Sequence, residues 1–338
     1  MNEIQYFHYP QSFLLENGKI LPEFTLAYTT YGTINEEKNN VIWVIHALTA
    51  NSRVDEWWEG LFGKDKILDP TKYFIICVNN LGSCYGSTNA LSINVINSQS
   101  YFYDFPLLTI KDMANSLELL RQDLKIDSIH FGFGGSQGGQ ILLEWAIQQP
   151  SIFKNLFLIA TNAQHSAWGI AFNESQRMAI ENDITWGQKD KKAGLNGLKT
   201  ARAIALLSYR NYRAYQNTQS ETEEKIDNFR AASYQQYQGE KLQKRFNAFA
   251  YYTLSKAMDT HDVGRNKGGI EQALALIKSK TCVVSISSDV LFPPSEQRLL
   301  AKYIPNAFYF EIDSDYGHDG FLLENEKITN IIYQFNSL

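Results

Sequence analysis

The sequence predicts an α/β fold: a mostly parallel central sheet with helices on both faces, interrupted by a helical insertion. Two patterns carry that expectation. Short apolar runs alternate with helical periodicity at both ends of the chain, whereas residues 165–262 show helical periodicity and no strand pattern. Strand–helix–strand repetition favours parallel pairing, because a crossover helix must return the chain to the same edge.

Val41-Ile42-Trp43-Val44-Ile45 and Tyr73-Phe74-Ile75-Ile76-Cys77-Val78 are continuous apolar runs, as expected of strands buried on both faces. Residues 111–124 predict a helix with Met113, Leu117, Leu120 and Leu124 along one stripe. Ile129 to Phe133 predicts a strand, 137–148 a helix, and Leu156 to Ala160 a further strand. Beyond the insertion, Val283 to Ile286 and Phe308 to Ile312 restore the strand pattern, with helices expected at 269–279, 294–303 and 325–336. The domain organisation read from this is a core of 1–164 and 263–338, with 165–262 inserted.

Composition excludes several classes. The 338 residues are 44% hydrophobic and 20% charged, an ordinary globular balance, and the formal net charge is −5. No nucleic-acid partner is expected: phosphate backbones need a basic face, and the densest basic run, 189–192, is broken by Asp190. Three cysteines make no disulfide framework, and Cys77 and Cys282 sit in apolar runs as small core residues. The chain has no C-x-x-C or H-E-x-x-H pattern, so no metal site is expected. Met1-Asn2-Glu3-Ile4-Gln5 lacks the regions of a secretory leader, and no apolar run nears the ~20 residues of a membrane helix. A cytoplasmic protein with no membrane partner is the expectation.

Gly134-Gly135-Ser136-Gln137-Gly138 matches G-x-S-x-G, between an apolar strand and an amphipathic helix. That context is the nucleophile elbow of the α/β-hydrolase fold, where a sharp turn lifts a serine above the sheet. A serine hydroxyl is a weak nucleophile near neutrality and needs a base. Of the downstream histidines, His165, His261 and His318, only His318 lies in a Gly-rich loop between the last strand and the last helix. Asp289 follows a strand in the loop Ser287–Pro294, which completes the order Ser, Asp, His. Asp313 and Asp315 are rival carboxylates, but too near His318 in sequence to orient its ring from a separate strand end. The second partner of an acyl serine is an oxyanion hole. Its donors are expected at the amides of Gln137, just after the nucleophile, and Leu48, in the loop His46–Ala50.

Several blocks together resemble the homoserine O-acetyltransferase family over nearly the whole chain. They include His46-Ala47-Leu48-Thr49, Leu81 to Thr88, Asp104-Phe105-Pro106, the elbow with Leu143-Glu144-Trp145-Ala146, Ile170 to Glu174 with Arg177, Tyr237-Gln238-Gly239, Ala257-Met258-Asp259, Ser288 to Pro294 and Gly317-His318-Asp319. The resemblance implies an α/β-hydrolase fold with a helical lid, and transfer of an acyl group from acyl-CoA to L-homoserine on the route to methionine. It implies a ping-pong path through acyl-Ser136, with acyl-CoA as co-substrate and no cofactor. It also implies that Arg177 and Asp319 hold the acceptor's carboxylate and ammonium, that Thr49 lines the pocket, and that the protein is a homodimer.

Three positions depart from the family pattern: Gln137 where an apolar residue is usual, Ser83 where a second glycine is common, and Gly187 to Lys192 in place of Gly-Gly-Asp-Tyr. Gln137 is expected to make the pocket more polar. Acetyl is the expected acyl group, with succinyl the alternative. A serine hydrolase with water as acceptor has the same triad. The aromatic run Phe246, Phe249, Tyr252 with Ala250, Thr253 and Met258 is the expected dimer seam.

Overall fold

The computed structural model describes residues 3–338. The leader reading rests partly on Met1 and Asn2, which lie outside the described residues. Eight strands form the central sheet: β1 (Gln5–Tyr9), β2 (Phe24–Tyr31), β3 (Val41–Ile45), β4 (Phe74–Val78), β5 (Ile129–Gly135), β6 (Phe153–Ile159), β7 (Lys280–Ile286) and β8 (Ala307–Ile312). Their order is β1-β2-β4-β3-β5-β6-β7-β8. The pairs β1–β2 and β2–β4 are antiparallel, and every later pair is parallel.

The continuous apolar runs are explained by burial on both faces. Val41, Trp43 and Ile45 of β3 face the helices α1 (Ile110–Asp123) and α2 (Gln137–Gln148), and Trp43 meets Trp145 edge to face at 4.9 Å. Ile42 and Val44 point the other way and share a core with Phe131, Phe133, Ile332 and Phe335. A one-residue slip would exchange these two sets, so both cores fix the register. Thr109 starts α1 with a capping box, accepting from the Asp112 amide while the Asp112 carboxylate takes the Thr109 amide.

The insertion folds as five helices: α3 (Ala167–Glu181), α4 (Leu195–Tyr209), α5 (Tyr212–Gln219), α6 (Arg230–Gln243) and α7 (Ala248–Asp259). Its two stems meet in an antiparallel bridge at Gln164 and Asp262, where His165 N–H donates to the His261 carbonyl at 2.9 Å. After β7, α8 (Pro294–Tyr303) and α9 (Asn325–Ser337) complete the core. The helix expected at 269–279 spans only Ile270–Leu274, because the chain must extend by Lys280 to enter β7. Phe246, Phe249, Ala250 and Met258, expected at a dimer seam, are buried within the chain, where α7 packs on the core. No helix among the described residues is long and apolar enough to cross a membrane.

Candidate active site

Ser136 sits on the sharp turn between β5 and α2 with φ +54° and ψ −128°, a conformation that side chains rarely adopt. A Cβ on Gly138 would run into the Ile45 carbonyl, and one on Gly134 would lie 2.6 Å from the Gly138 carbonyl oxygen. The turn is held by the Ser136 N–H donating to Ile159 O at 3.1 Å and by Thr161 Oγ1 donating to Ser136 O at 2.9 Å.

The structure brings the three residues of the sequence reading together. His318 Nε2 lies 2.9 Å from Ser136 Oγ, and His318 Nδ1 lies 2.7 Å from Asp289 Oδ2. The other carboxylate oxygen of Asp289 accepts from the amides of Leu291 and Phe292 at 2.8 and 2.9 Å. All three side chains are buried and rise from the carboxyl ends of β5, β7 and β8. Gly317, with φ +64°, lets the His318 loop pass so close to the end of α4 that a Cβ would lie 3.0 Å from Tyr209 O. The rival carboxylates are elsewhere: Asp313 accepts from Ser287 and Asp315 pairs with Arg213. Burial pushes the Cys84 thiol up to about 11, which leaves it without thiolate character near neutrality.

Ser136 and His318 open into a cavity of about 450 Å³, also lined by Leu48, Thr49, Trp57, Arg202, Tyr209, Lys241, Arg245 and Asp319. Core and insertion therefore share the site: Arg202 and Tyr209 come from α4, Lys241 from α6. The amide of Gln137, first in α2, has no intrahelical partner and belongs to a helix N-terminus that favours an anion. Leu48 lies in the loop after β3, beside β5 in the sheet. Asp319 lines the cavity and is held by Arg210 Nε at 2.7 Å.

Two expectations need correction. Arg177 is not brought to the cavity. Its guanidinium is buried, donating to Asp259 at 2.5 Å, Glu174 at 2.6 Å and Ser255 Oγ at 3.3 Å, so it ties α3 to α7. The cations that do line the cavity are Lys241, Arg245 and Arg202, the last 5.2 Å from the Tyr209 ring centre. The signal for it was the seven-residue spacing of Arg202 and Tyr209, two helical turns apart on one face. Nor does the Gln137 side chain make the pocket more polar: it is fully buried and donates to the Leu254 carbonyl at 3.0 Å.

Comparison with known proteins agrees with this fold. A family model described as the alpha/beta hydrolase fold matches residues 40–325. The homoserine O-acetyltransferase of Cyclobacterium marinum is 50% identical over 329 residues, 97% of this chain and 94% of that protein. The chain belongs to the homoserine O-acetyltransferase family. Among solved structures, the homoserine O-acetyltransferase from Bacillus anthracis has a TM-score of 0.89 at 24% identity, covering 99% of this chain and 98% of that one. Esterase E22 has a TM-score of 0.90 at 23% identity, covering 99% of this chain and 100% of that one. These two show that transferase and esterase share the family's fold, so the fold alone does not name the acceptor.

Proposed function

We propose that this enzyme moves an acetyl group from acetyl-CoA to the side-chain hydroxyl of L-homoserine, in the biosynthesis of methionine, through acyl-Ser136. His318 Nε2 takes the Ser136 proton as Oγ attacks the thioester carbonyl. The amides of Leu48 and Gln137 hold the oxyanion, and Asp289 keeps the imidazole in its tautomer and supports its positive charge. Collapse expels the CoA thiolate, which takes the proton from His318. The homoserine hydroxyl then gives its proton to His318 as its oxygen attacks the acyl-serine carbonyl, and collapse frees Ser136, whose Oγ takes that proton back from His318.

The observation that carries the acceptor is the pairing of cavity charges. Among the described residues, Arg202, Lys241 and Arg245 line the cavity with no carboxylate partner, whereas Asp319 is pinned by Arg210 and the other lining carboxylate, Glu56, pairs with Arg53 at 3.4 Å. A zwitterionic acceptor needs one cation and one anion, and an arginine fork matches its carboxylate. We assign the carboxylate to Arg202 and the ammonium to Asp319, next in sequence to the base. Lys241 and Arg245 leave positive charge for the phosphates of an acyl carrier.

We place the homodimer on the insertion, where Leu207, Tyr212 and Tyr237 expose apolar surface; light scattering at micromolar concentration checks it. The reaction is tested by following thiol release from acetyl-CoA and succinyl-CoA with and without L-homoserine. Release from acetyl-CoA is slow alone and rises steeply with homoserine. Equal rates without an amino-acid acceptor would make the protein a thioesterase.

A further inference from the structure

The proposed oxyanion hole is tied to the insertion from each side, directly at Gln137 and, for Leu48, through its neighbour Thr49. Gln137 reaches α7 through Nε2, which donates to the Leu254 carbonyl at 3.0 Å. On the other side Arg245, just beyond α6, donates through Nη1 to the Thr49 carbonyl at 2.5 Å and to Tyr85 Oη at 2.7 Å. Thr49 directly follows Leu48.

The core holds the near half of that loop. Ala50 N–H closes a turn onto the Ala47 carbonyl at 3.0 Å, and His46 Nδ1 lies 2.8 Å from the same oxygen. The Asn80 amide donates to His46 Nε2 at 3.0 Å, so the ring proton sits on Nδ1 and donates to Ala47 O. The Ala47 carbonyl and the Leu48 N–H belong to one planar trans peptide and point in opposite directions. Fixing that oxygen therefore fixes where the Leu48 N–H points. The far half of the turn, at the Thr49 carbonyl, is gripped by Arg245 of the insertion.

We propose that the helical insertion sets the spacing of the oxyanion hole, with Arg245 and the Gln137 side chain as positioning residues. The Gln137 side chain is a costly choice for packing alone, because its Oε1 is buried without a partner while its Nε2 is bonded. An apolar side chain of similar volume would fill the same space without the orphaned oxygen. What it could not do is hold the Leu254 carbonyl. An oxyanion hole acts only when its donors sit at hydrogen-bond distance from the developing charge, so loosening the ties falls on the chemical step and spares ground-state binding.

This inference rests on the assignment of Leu48 and Gln137 to the oxyanion hole, and holds whether homoserine or water finishes the reaction. The probe is 4-nitrophenyl acetate, which acylates Ser136 and carries no phosphate. Acylation is read as the burst of 4-nitrophenolate in Gln137→Met, Arg245→Met and the double variant. Each single change lowers the acylation rate constant by about tenfold, a fraction of what losing a whole donor costs. The ester concentration that half-saturates the burst rate stays within about twofold, since ground-state binding is untouched. Arg245→Lys recovers part of the loss, because one ammonium can reach Thr49 O but lacks the fork that also holds Tyr85. The melting temperature of Gln137→Met equals or exceeds that of the starting protein, so activity and stability move apart. A Gln137→Met that loses both together would overturn the proposal. So would single variants whose acylation stays within about twofold, or an Arg245→Met effect confined to KM for acetyl-CoA. A protein with the expected bursts but no homoserine-dependent release fails the transferase reading and leaves this one standing.

Discussion

The ring of Phe292 stacks on the imidazole of His318, with centroids 5.1 Å apart and planes at 29°, while the Phe292 amide donates to Asp289 Oδ1 at 2.9 Å. One residue thus steadies both partners of Ser136. Phe292→Leu keeps the amide and removes the stacked face. It lowers acylation by about tenfold by loosening the ring, and stability by about 1–3 kcal/mol. Burst kinetics and urea melts check both. An unchanged burst at reduced stability would restrict Phe292 to packing.

Ser136→Ala removes the acyl adduct and lowers turnover by roughly 10⁵–10⁶-fold, and His318→Ala costs about as much. Asp289→Asn costs somewhat less, because the group orients a proton and does not carry it. Mass spectrometry after mixing with acetyl-CoA finds the acetyl group on the Ser136 peptide. Label on Cys84 would overturn the assignment.

Arg202 and Arg177 separate by the kind of damage they cause. Arg202→Ala raises the homoserine concentration for half-saturation by about ten- to a hundred-fold, the worth of a charged hydrogen-bonded contact, and leaves acylation of Ser136 intact. Arg177→Ala deprives the largely buried Asp259 of its cation and costs about 3 kcal/mol in a urea melt. The reverse pattern would return Arg177 to the acceptor site.

Burial pushes four histidines down: His46 and His165 to about 4, His261 to about 3, and His130 in the same direction. The unfolded chain binds their protons near pH 6.5 and the folded one does not, so stability falls as pH drops below 6.5. Glu296, raised by burial to about 7, acts with the opposite sign between pH 7 and 4.5. His46, His165 and His261 less Glu296 then account for two protons taken up on unfolding over pH 6.5–4.5, a slope of about 3 kcal/mol per pH unit. Urea midpoints at pH 7, 6 and 5 measure it, and His261→Gln roughly halves it. A flat profile would mean that these histidines take up protons inside the fold.

The sheet was legible where strands are buried on both faces. Val41–Ile45 carries no polar residue, and its bounds match the reading; so do those of α2 and α8. The first two strands escaped. β1 lies at an edge and leaves Tyr6 exposed, and β2 mixes a buried threonine, Thr29, whose hydroxyl meets Ser52 at 2.8 Å, with the half-buried Thr25 and Thr30. The triad was legible because each member ends a strand, and chain order names the edge they share. The place of Arg202 at the cavity was not. Periodicity shows which residues of a helix share a face, but five inserted helices can turn that face to the core, the cavity or solvent, and only packing decides.

The bridge at Gln164 and Asp262 bears on biosynthesis of the chain itself. Synthesis runs from the N-terminus, so Ser136 emerges before the insertion, while Asp289 and His318 emerge only after it. Strands β7 and β8, which carry the latter two, cannot join the sheet until the intervening helices have left the ribosome. A nascent chain thus carries Ser136 on an incomplete sheet, and its base is made only after every residue of the insertion. The triad is never complete on a chain that still lacks the helices lining the cavity.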